Sequence, residues 1–239
     1  FSGGSLNTEE LNQTIEVCQK CQIAMPHKVI YRGSLTPKIL FVGEAPGEEE
    51  EKQLKPFVGP AGQLLDRWIR TLNLQEEDYA IVNTIKCRPA DNRAPTDEEL
   101  ANCSPYLLEQ IKLLQPKLIV TLGLVATKWF IPSVQSINAA KGQPFTVGEN
   151  KIFPLMHPAY CLRNPHYNWL YDLEKLKNII TSQTTESGIT KQELVHLHLH
   201  SEYSIGDSII NIKELVDKAS ELGFKSLALT DHGTLRGVY

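Results

Sequence analysis

The chain has 239 residues, 24 Lys and Arg against 28 Asp and Glu for a net charge of −4, and five cysteines. At about 150 residues per domain this length predicts one or two domains. A composition of 41% hydrophobic and 22% charged residues excludes wholesale disorder and collagen-like repeats. No apolar run reaches the ~18–20 residues of a membrane span, and no signal-peptide core is present. Mild acidity argues against a generic DNA-coating protein but is compatible with a few cations gathered in one cleft. The first residue is Phe1 rather than Met, as expected of a chain whose natural start lies upstream.

In chain order, Cys18 and Cys21 form a C-x2-C pair, and Cys87 and Cys103 follow, each flanked by polar residues or proline. Without an export signal, thiols are expected to stay reduced, so a disulfide framework is disfavoured. Four spaced cysteines then suggest a four-thiolate site for Zn²⁺ or an iron–sulfur cluster, which spacing alone does not separate. Two unrelated pairs of buried thiols are the plainer alternative.

Lys38–Gly43 reads as a buried strand entering the turn-rich GEAPGEEEE. From Gly59 to Leu74, apolar residues Leu64, Leu65, Trp68, Ile69 and Leu72 recur at helical spacing. Tyr79–Cys87 reads as a strand followed by a loop. Thr96 with Glu99 is a capping-box start for a helix to about Gln115. Lys117–Gly123 is a further strand and Leu124–Phe130 a short helix. A hairpin around Gly148–Asn150 delivers the chain to His157-Pro158, and His166–Thr181 is the last helix before a polar linker. Such alternation predicts a mainly parallel α/β sheet, whose ligands bind beyond the carboxyl ends of the strands. Gly43–Gly47, Asn83–Arg93 and His157–Arg163 all follow strands and are expected to converge there.

Each of these three segments carries chemistry. Gly43 and Gly47 allow close backbone approach, and Glu44 or Glu50 could polarise a water. Asn83 offers a paired donor and acceptor suited to a nucleobase edge. His157 can donate to a developing oxyanion, and the following apolar residues with Arg163 could wedge a base step and hold phosphate.

Together, GEAPGEEEE, PFVGPAGQLLD, VNTIKCRPADNRAP, KLIVTLG and HPAYCLRNP resemble the family 4, iron–sulfur uracil-DNA glycosylases over roughly Leu11 to Ile180. The resemblance implies a three-layer α/β fold around a central, mainly parallel four-stranded sheet. It implies a [4Fe-4S] cluster on Cys18, Cys21, Cys87 and Cys103. It places Gly43, Ala45, Phe57, Asn83 and His157 in a uracil pocket, with Phe57 stacking, Asn83 reading the base edge and His157 donating near O2. The catalytic candidates are Glu44, Glu50, Asn83 and His157. A better-known branch of the superfamily has a water-activating Asp where this chain has Ala45, which leaves the identity of the base open. Uracil would be flipped into a pocket too narrow for the thymine methyl, and its glycosidic bond would break with oxocarbenium character on the sugar. Lys86, Arg88, Arg93, Leu162 and Arg163 would contact DNA. The implied protein is a cytoplasmic, nucleoid-associated bacterial monomer that acts on uracil-containing DNA, has no membrane association and meets replication or repair proteins.

Three positions depart from the family pattern: Leu54 stands for a usual Gly, Ala90 for a usual Pro, and Cys161 for the first Leu of the wedge. Cys161 is expected to be a free thiol.

The tail has its own resemblance. His196, His198, His200, Asp207, Asp231 and His232 match the start of the polymerase-and-histidinol-phosphatase (PHP) domain of bacterial DNA polymerase III alpha subunits. By that match His198, His200, Asp207 and His232 are candidate ligands of a divalent metal in an incomplete shell. The expected organisation is a glycosylase domain over 1–180, a linker over 181–193, and a β-α-β fragment of a PHP-type domain over 194–239. Two alternatives are a non-catalytic iron–sulfur DNA-binding module and a domain appended to the head of a polymerase III alpha subunit.

Overall fold

The computed structural model describes residues 7–23 and 25–185, with no side-chain detail at 183–185, and the backbone of two short tail strands. The chain divides into two compact units, Phe1–Thr181 and Ser182–Tyr239.

In the first unit, β1 (Arg32–Gly33), β2 (Ile39–Gly43), β3 (Tyr79–Asn83), β4 (Leu118–Leu122), β5 (Phe145–Val147) and β6 (Asn150–Leu155) form one sheet in the order β1-β3-β2-β4-β6-β5. The four central strands are parallel, and the edge strands β1 and β5 are antiparallel. The expected four-stranded parallel sheet is therefore the centre of a six-stranded mixed one. Every residue of β2, β3 and β4 is buried, as continuous apolar strands covered on both faces require.

One face of the sheet, including Phe41, Ile81, Val120 and Phe153, packs on α3 (Pro60–Thr71) and α8 (Trp169–Thr185) through Trp68, Leu65, Leu173 and Leu176. The opposite face, including Leu40, Val42 and Ile119, packs on α4 (Asp97–Leu114) and α5 (Leu124–Phe130) through Leu107, Ile111 and Phe130. Three layers result. Thr96 accepts the Glu99 N–H and Glu99 reaches back to the Thr96 N–H, so the predicted capping box starts α4.

Several boundaries differ from the sequence reading. Strand β3 stops at Asn83 rather than Cys87, because Thr84 and Ile85 turn to donate to the Gly43 and Glu44 carbonyls. The acidic run read as a turn is a helix, α2 (Glu48–Gln53). Its four glutamates lie in the first turn, where the helix dipole favours them, and Lys52 pairs with Glu48 and Glu49. Two helices were not anticipated: α1 (Thr8–Glu16), which opens on a capping box at Asn7 and Glu10, and the single turn α6 (Ile137–Ala140). The His157 segment forms α7 (Pro158–Arg163), with His157 as its N-cap. Helix α8 starts at Trp169, not His166, and runs to Thr185, so the first residues of the expected linker are helical.

In the second unit, strands β7 (His196–Leu199) and β8 (Leu227–Leu229) pair in parallel. His198 lies on β7, whereas His200, Asp207 and His232 lie outside the described residues.

Candidate active site

Gly43 ends β2 directly opposite Asn83 at the end of β3, and Gly123 follows the end of β4 with a φ of +89° beside the Cβ of His157. These carboxyl ends open into a cavity of about 420 Å³ whose lining includes Glu44, Ala45, Phe57, Asn83, His157 and Arg163. Six of the seven expected catalytic and pocket residues, Glu50 among them, thus meet in one place with Arg163. Gly43 lies just behind them: a Cβ there would fall on the Phe57 ring and the Asn83 Oδ1. Only glycine leaves those two side chains room to meet.

Phe57 has a left-handed backbone, φ +55°, a conformation that costs a non-glycine residue about 1–2 kcal/mol. Three contacts hold it. Arg32 Nη1 donates to the Phe57 carbonyl at 2.7 Å, and the same guanidinium pairs with Asp66. A Cβ on Gly62 would overlap the Phe57 carbonyl, so α3 approaches as closely as glycine permits. Glu50 accepts the Val58, Gly59 and Gly47 N–H groups at 2.9, 2.8 and 3.2 Å. Its two oxygens tie the Phe57 loop to the start of α2. Glu50 also lines the cavity, but three backbone N–H groups engage its carboxylate, which points to a positioning role rather than the expected water-activating one. Arg32 carried no sequence signal: it lies in a two-residue edge strand, 25 positions from its acceptor.

Asn83 is 1% exposed, and neither Oδ1 nor Nδ2 has a hydrogen-bond partner among the described residues. Buried amides are nearly always satisfied, and leaving one unpaired costs about 1–3 kcal/mol. His157 faces the Phe57 ring at 5.8 Å between centroids. Burial, reinforced by the Arg163 cation and opposed by Glu50, lowers its pKa to about 4. The ring is therefore neutral at pH 7. Ala159 N–H donates to its Nδ1 at 3.1 Å, which leaves the single ring proton on Nε2. Burial also raises the Glu44 carboxyl above the usual range.

The expected DNA-contacting residues separate into two groups. Arg163 and Leu162 are exposed on α7, Leu162 at 48%, and Arg163 forms no ion pair among the described residues. Arg93 also lines the cavity but is held by Glu99 through two nitrogens, at 2.9 and 2.6 Å. Arg88 is paired with Glu51 and Asn92, both at 2.8 Å. Lys86 is corrected outright. It is 1% exposed, and its Nζ donates to the Asn83 carbonyl at 2.6 Å, so it cannot reach a phosphate. Burial lowers its pKa to about 8, with Cys103 acting in the opposite direction.

Cys18 and Cys21 follow α1, Cys87 lies in the turn after β3, and Cys103 lies in α4; the first two are half-buried and the last two buried. Each sulfur has a donor aimed at it. Tyr106 hydroxyl bonds to Cys18 and Asn102 Nδ2 to Cys21 at 3.6 Å. The backbone amide of Met25 bonds to Cys87, and that of Lys86 to Cys103. Burial raises the thiols of Cys21, Cys87 and Cys103, and neighbouring cysteines add to the rise in each. The four cysteines form a bay, and the ammonium groups of two buried lysines, Lys28 at 3% exposure and Lys86, adjoin it with no carboxylate partner among the described residues, although the Lys28 backbone N–H donates to Glu16 at 3.1 Å. Donors on every sulfur and buried cations alongside suit thiolate ligands of an anionic group. Among the described residues, no three His, Cys, Asp or Glu side chains converge as a single metal ion requires. Cys161 is elsewhere, buried in the core with its thiol pushed up to about 11.

The model of the uracil DNA glycosylase superfamily matches residues 30–195. The chain belongs to that superfamily. A type-4 uracil-DNA glycosylase of Thermotoga maritima is 39% identical over 73% of this chain and 95% of its own length. That of Sulfurisphaera tokodaii is 38% identical over 72% of this chain and 84% of its own. The PHP domain model matches residues 196–239. There the DNA polymerase III subunit alpha of Aquifex aeolicus is 50% identical over 20% of this chain and 4% of its own length. No helix among the described residues is long and apolar enough to cross a membrane.

Proposed function

We propose that this uracil-DNA glycosylase hydrolyses the N-glycosidic bond of uracil flipped out of DNA, leaving an abasic site. The observation that carries the reading is the Asn83 amide, buried at the pocket with donor and acceptor both unpaired among the described residues. A planar base presenting N3–H and O4 pairs with both at once. Phe57 offers a ring face to the base, fixed by the Arg32 and Gly62 contacts. The His157 Nε2–H donates to the oxygen on which charge develops as the bond breaks, and a neutral donor there need not lose its proton to act. Glu44, beside the same cavity, orients the water that adds to the sugar. Leu162 and Arg163, exposed on α7, serve as wedge and phosphate contact.

Cys18, Cys21, Cys87 and Cys103 hold a [4Fe-4S] cluster, which when bound cross-links the segment after α1, the turn after β3 and helix α4. The domain organisation follows: a glycosylase to about residue 180, a linker, and the start of a PHP-type domain from about 194. The tail comparisons favour a second role in which the glycosylase is joined to a replicative polymerase. Reading the gene past Tyr239 decides this, since a continuing polymerase frame supports it and an immediate stop removes it.

The activity test uses purified full chain with uracil-containing and matched thymine-containing oligonucleotides, followed by alkali cleavage of abasic sites. Strand breaks only with uracil are expected, from protein with the broad visible absorbance of an iron–sulfur cluster. Absence of breaks from protein with that absorbance overturns the reading in favour of a binding module.

A further inference from the structure

The cysteine bay and the pocket are contiguous through one side chain. Beyond Asn83 the chain turns back, bringing Lys86 under the strand end, where its Nζ donates to the Asn83 carbonyl at 2.6 Å. The backbone of the same residue meets the cysteines: its N–H bonds to the Cys103 sulfur, and its carbonyl accepts the Val29 N–H at 2.9 Å. The next residue is Cys87.

An ammonium has three protons to donate, and burying it without an opposite charge is costly. Lys86 has one carbonyl and no carboxylate partner among the described residues. A cluster on four thiolates is a net anion and would supply that opposite charge. Lys28 is the internal comparison. It too is buried beside Cys87, but its Nζ is bound to the carbonyl of Met25, which is not among the residues lining the pocket.

We propose that Lys86 is a positioning residue that couples the four-cysteine bay to the uracil pocket: its charge balances the bay while its hydrogen bond fixes the end of β3 that carries Asn83. The inference rests on the cluster and uracil readings above. It assigns a role in placing the base reader to a residue that touches neither base nor DNA.

The test compares cluster-loaded full chain with Lys86→Met, Lys86→Gln and Lys28→Met. Three quantities are read: the half-life of the visible absorbance under a ferrous-iron chelator, the midpoint potential, and kcat with KM on a uracil oligonucleotide per loaded protein. Loss of a group supporting metal ligands typically costs 10–100-fold. All three variants should therefore shorten the half-life by about tenfold and move the potential to more negative values. Only Lys86→Met should also lower kcat by about tenfold, with KM unchanged. Lys86→Gln keeps a donor for the Asn83 carbonyl without the charge, so it should recover most of kcat while the half-life stays short.

Parental kcat in fully loaded Lys86→Met, or an equal kcat loss in Lys28→Met, overturns the link to the pocket. Parental half-life and potential in both Lys86 variants overturn the link to the bay. If Lys86→Met is insoluble, Lys86→Gln carries the test, and a parental half-life and potential there overturn the proposal. Failure of the parent to show cluster absorbance or uracil release is a separate result, seen before any substitution, and overturns the functional reading itself.

Discussion

The pocket and the cysteine bay are built from adjacent segments but differ in what the fold leaves unpaired. In the pocket the unpaired group is neutral, the Asn83 amide with one donor and one acceptor. In the bay the groups left without an opposite charge among the described residues are cations, Lys28 and Lys86, beside four sulfurs that each already receive a hydrogen bond. A buried neutral dipole asks for a hydrogen-bonding partner of matching pattern, whereas a buried cation asks for negative charge. The two regions therefore recognise different chemistry, a base edge and an anionic cluster. They should also fail differently when altered.

The largest effect is expected in the bay. Cys87→Ala removes a ligand that joins the turn after β3 to the segment after α1, and binding energy of such a site is folding energy. We expect loss of the visible absorbance and a melting temperature lower by about 10 °C or more, followed by scanning calorimetry with iron content. A colourless variant melting with the parent would remove the structural role of the bay. Asn83→Leu should do the reverse. It replaces an unpaired amide with an apolar group of similar shape, so thermal stability should hold or rise, by about 1–3 kcal/mol at most. Single-turnover uracil release should meanwhile fall about 100-fold, the value of a bidentate base contact. A variant that loses stability along with activity would show that Asn83 is a structural residue.

Sequence made the pocket more legible than its supports. Gly43 and Asn83 end their strands and His157 follows one, and the rule that ligands bind at carboxyl ends places such residues together without coordinates. The charge of Lys86 was equally visible, but its direction was not. A basic residue beside Arg88 reads as a surface cation until the early stop of β3 turns it inward. Glu50 misleads for a related reason: the backbone N–H groups that donate to it, at 47, 58 and 59, gather only once the acidic run becomes a helix. Arg32 was invisible because its work is a long-range bond to a backbone carbonyl, which leaves no pattern in side-chain types.

His157 sharpens the contrast from the pocket side. With a folded pKa near 4 against the ordinary 6.5, the native ring resists protonation that the unfolded chain accepts. Its contribution therefore lowers stability as pH falls from 6.5 towards 4 and is absent above 6.5. An imidazole ¹⁵N titration should find the proton on Nε2, not Nδ1, from pH 8 to about 5. In urea, His157→Gln should lose less stability than the parent over the same acid range. A midpoint near 6.5 for this ring would make it a cation during the reaction at mildly acidic pH and overturn the neutral-donor assignment.

The smallest effect concerns a residue belonging to neither region. Leu54 caps the C-terminus of α2 with φ +54° and is 42% exposed. It has the left-handed geometry for which glycine is suited, and there a leucine Cβ is strained by about 1–2 kcal/mol. Leu54→Gly relieves that strain but gives the unfolded chain more freedom, which offsets part of the gain. The net should be a rise of about 1 kcal/mol, or about 2–4 °C in a domain of this size. Helix α2 carries Glu50, whose oxygens hold the loop of Phe57, so a better cap could have tightened the pocket as well. Glu50 already binds three backbone N–H groups, however, and the loop has a second hold in Arg32. Uracil release should therefore match the parent within about twofold while calorimetry shows the higher melting temperature. A several-fold gain in kcat without added stability would instead show that the α2 cap, rather than Glu50 and Arg32, limits how well Phe57 is held.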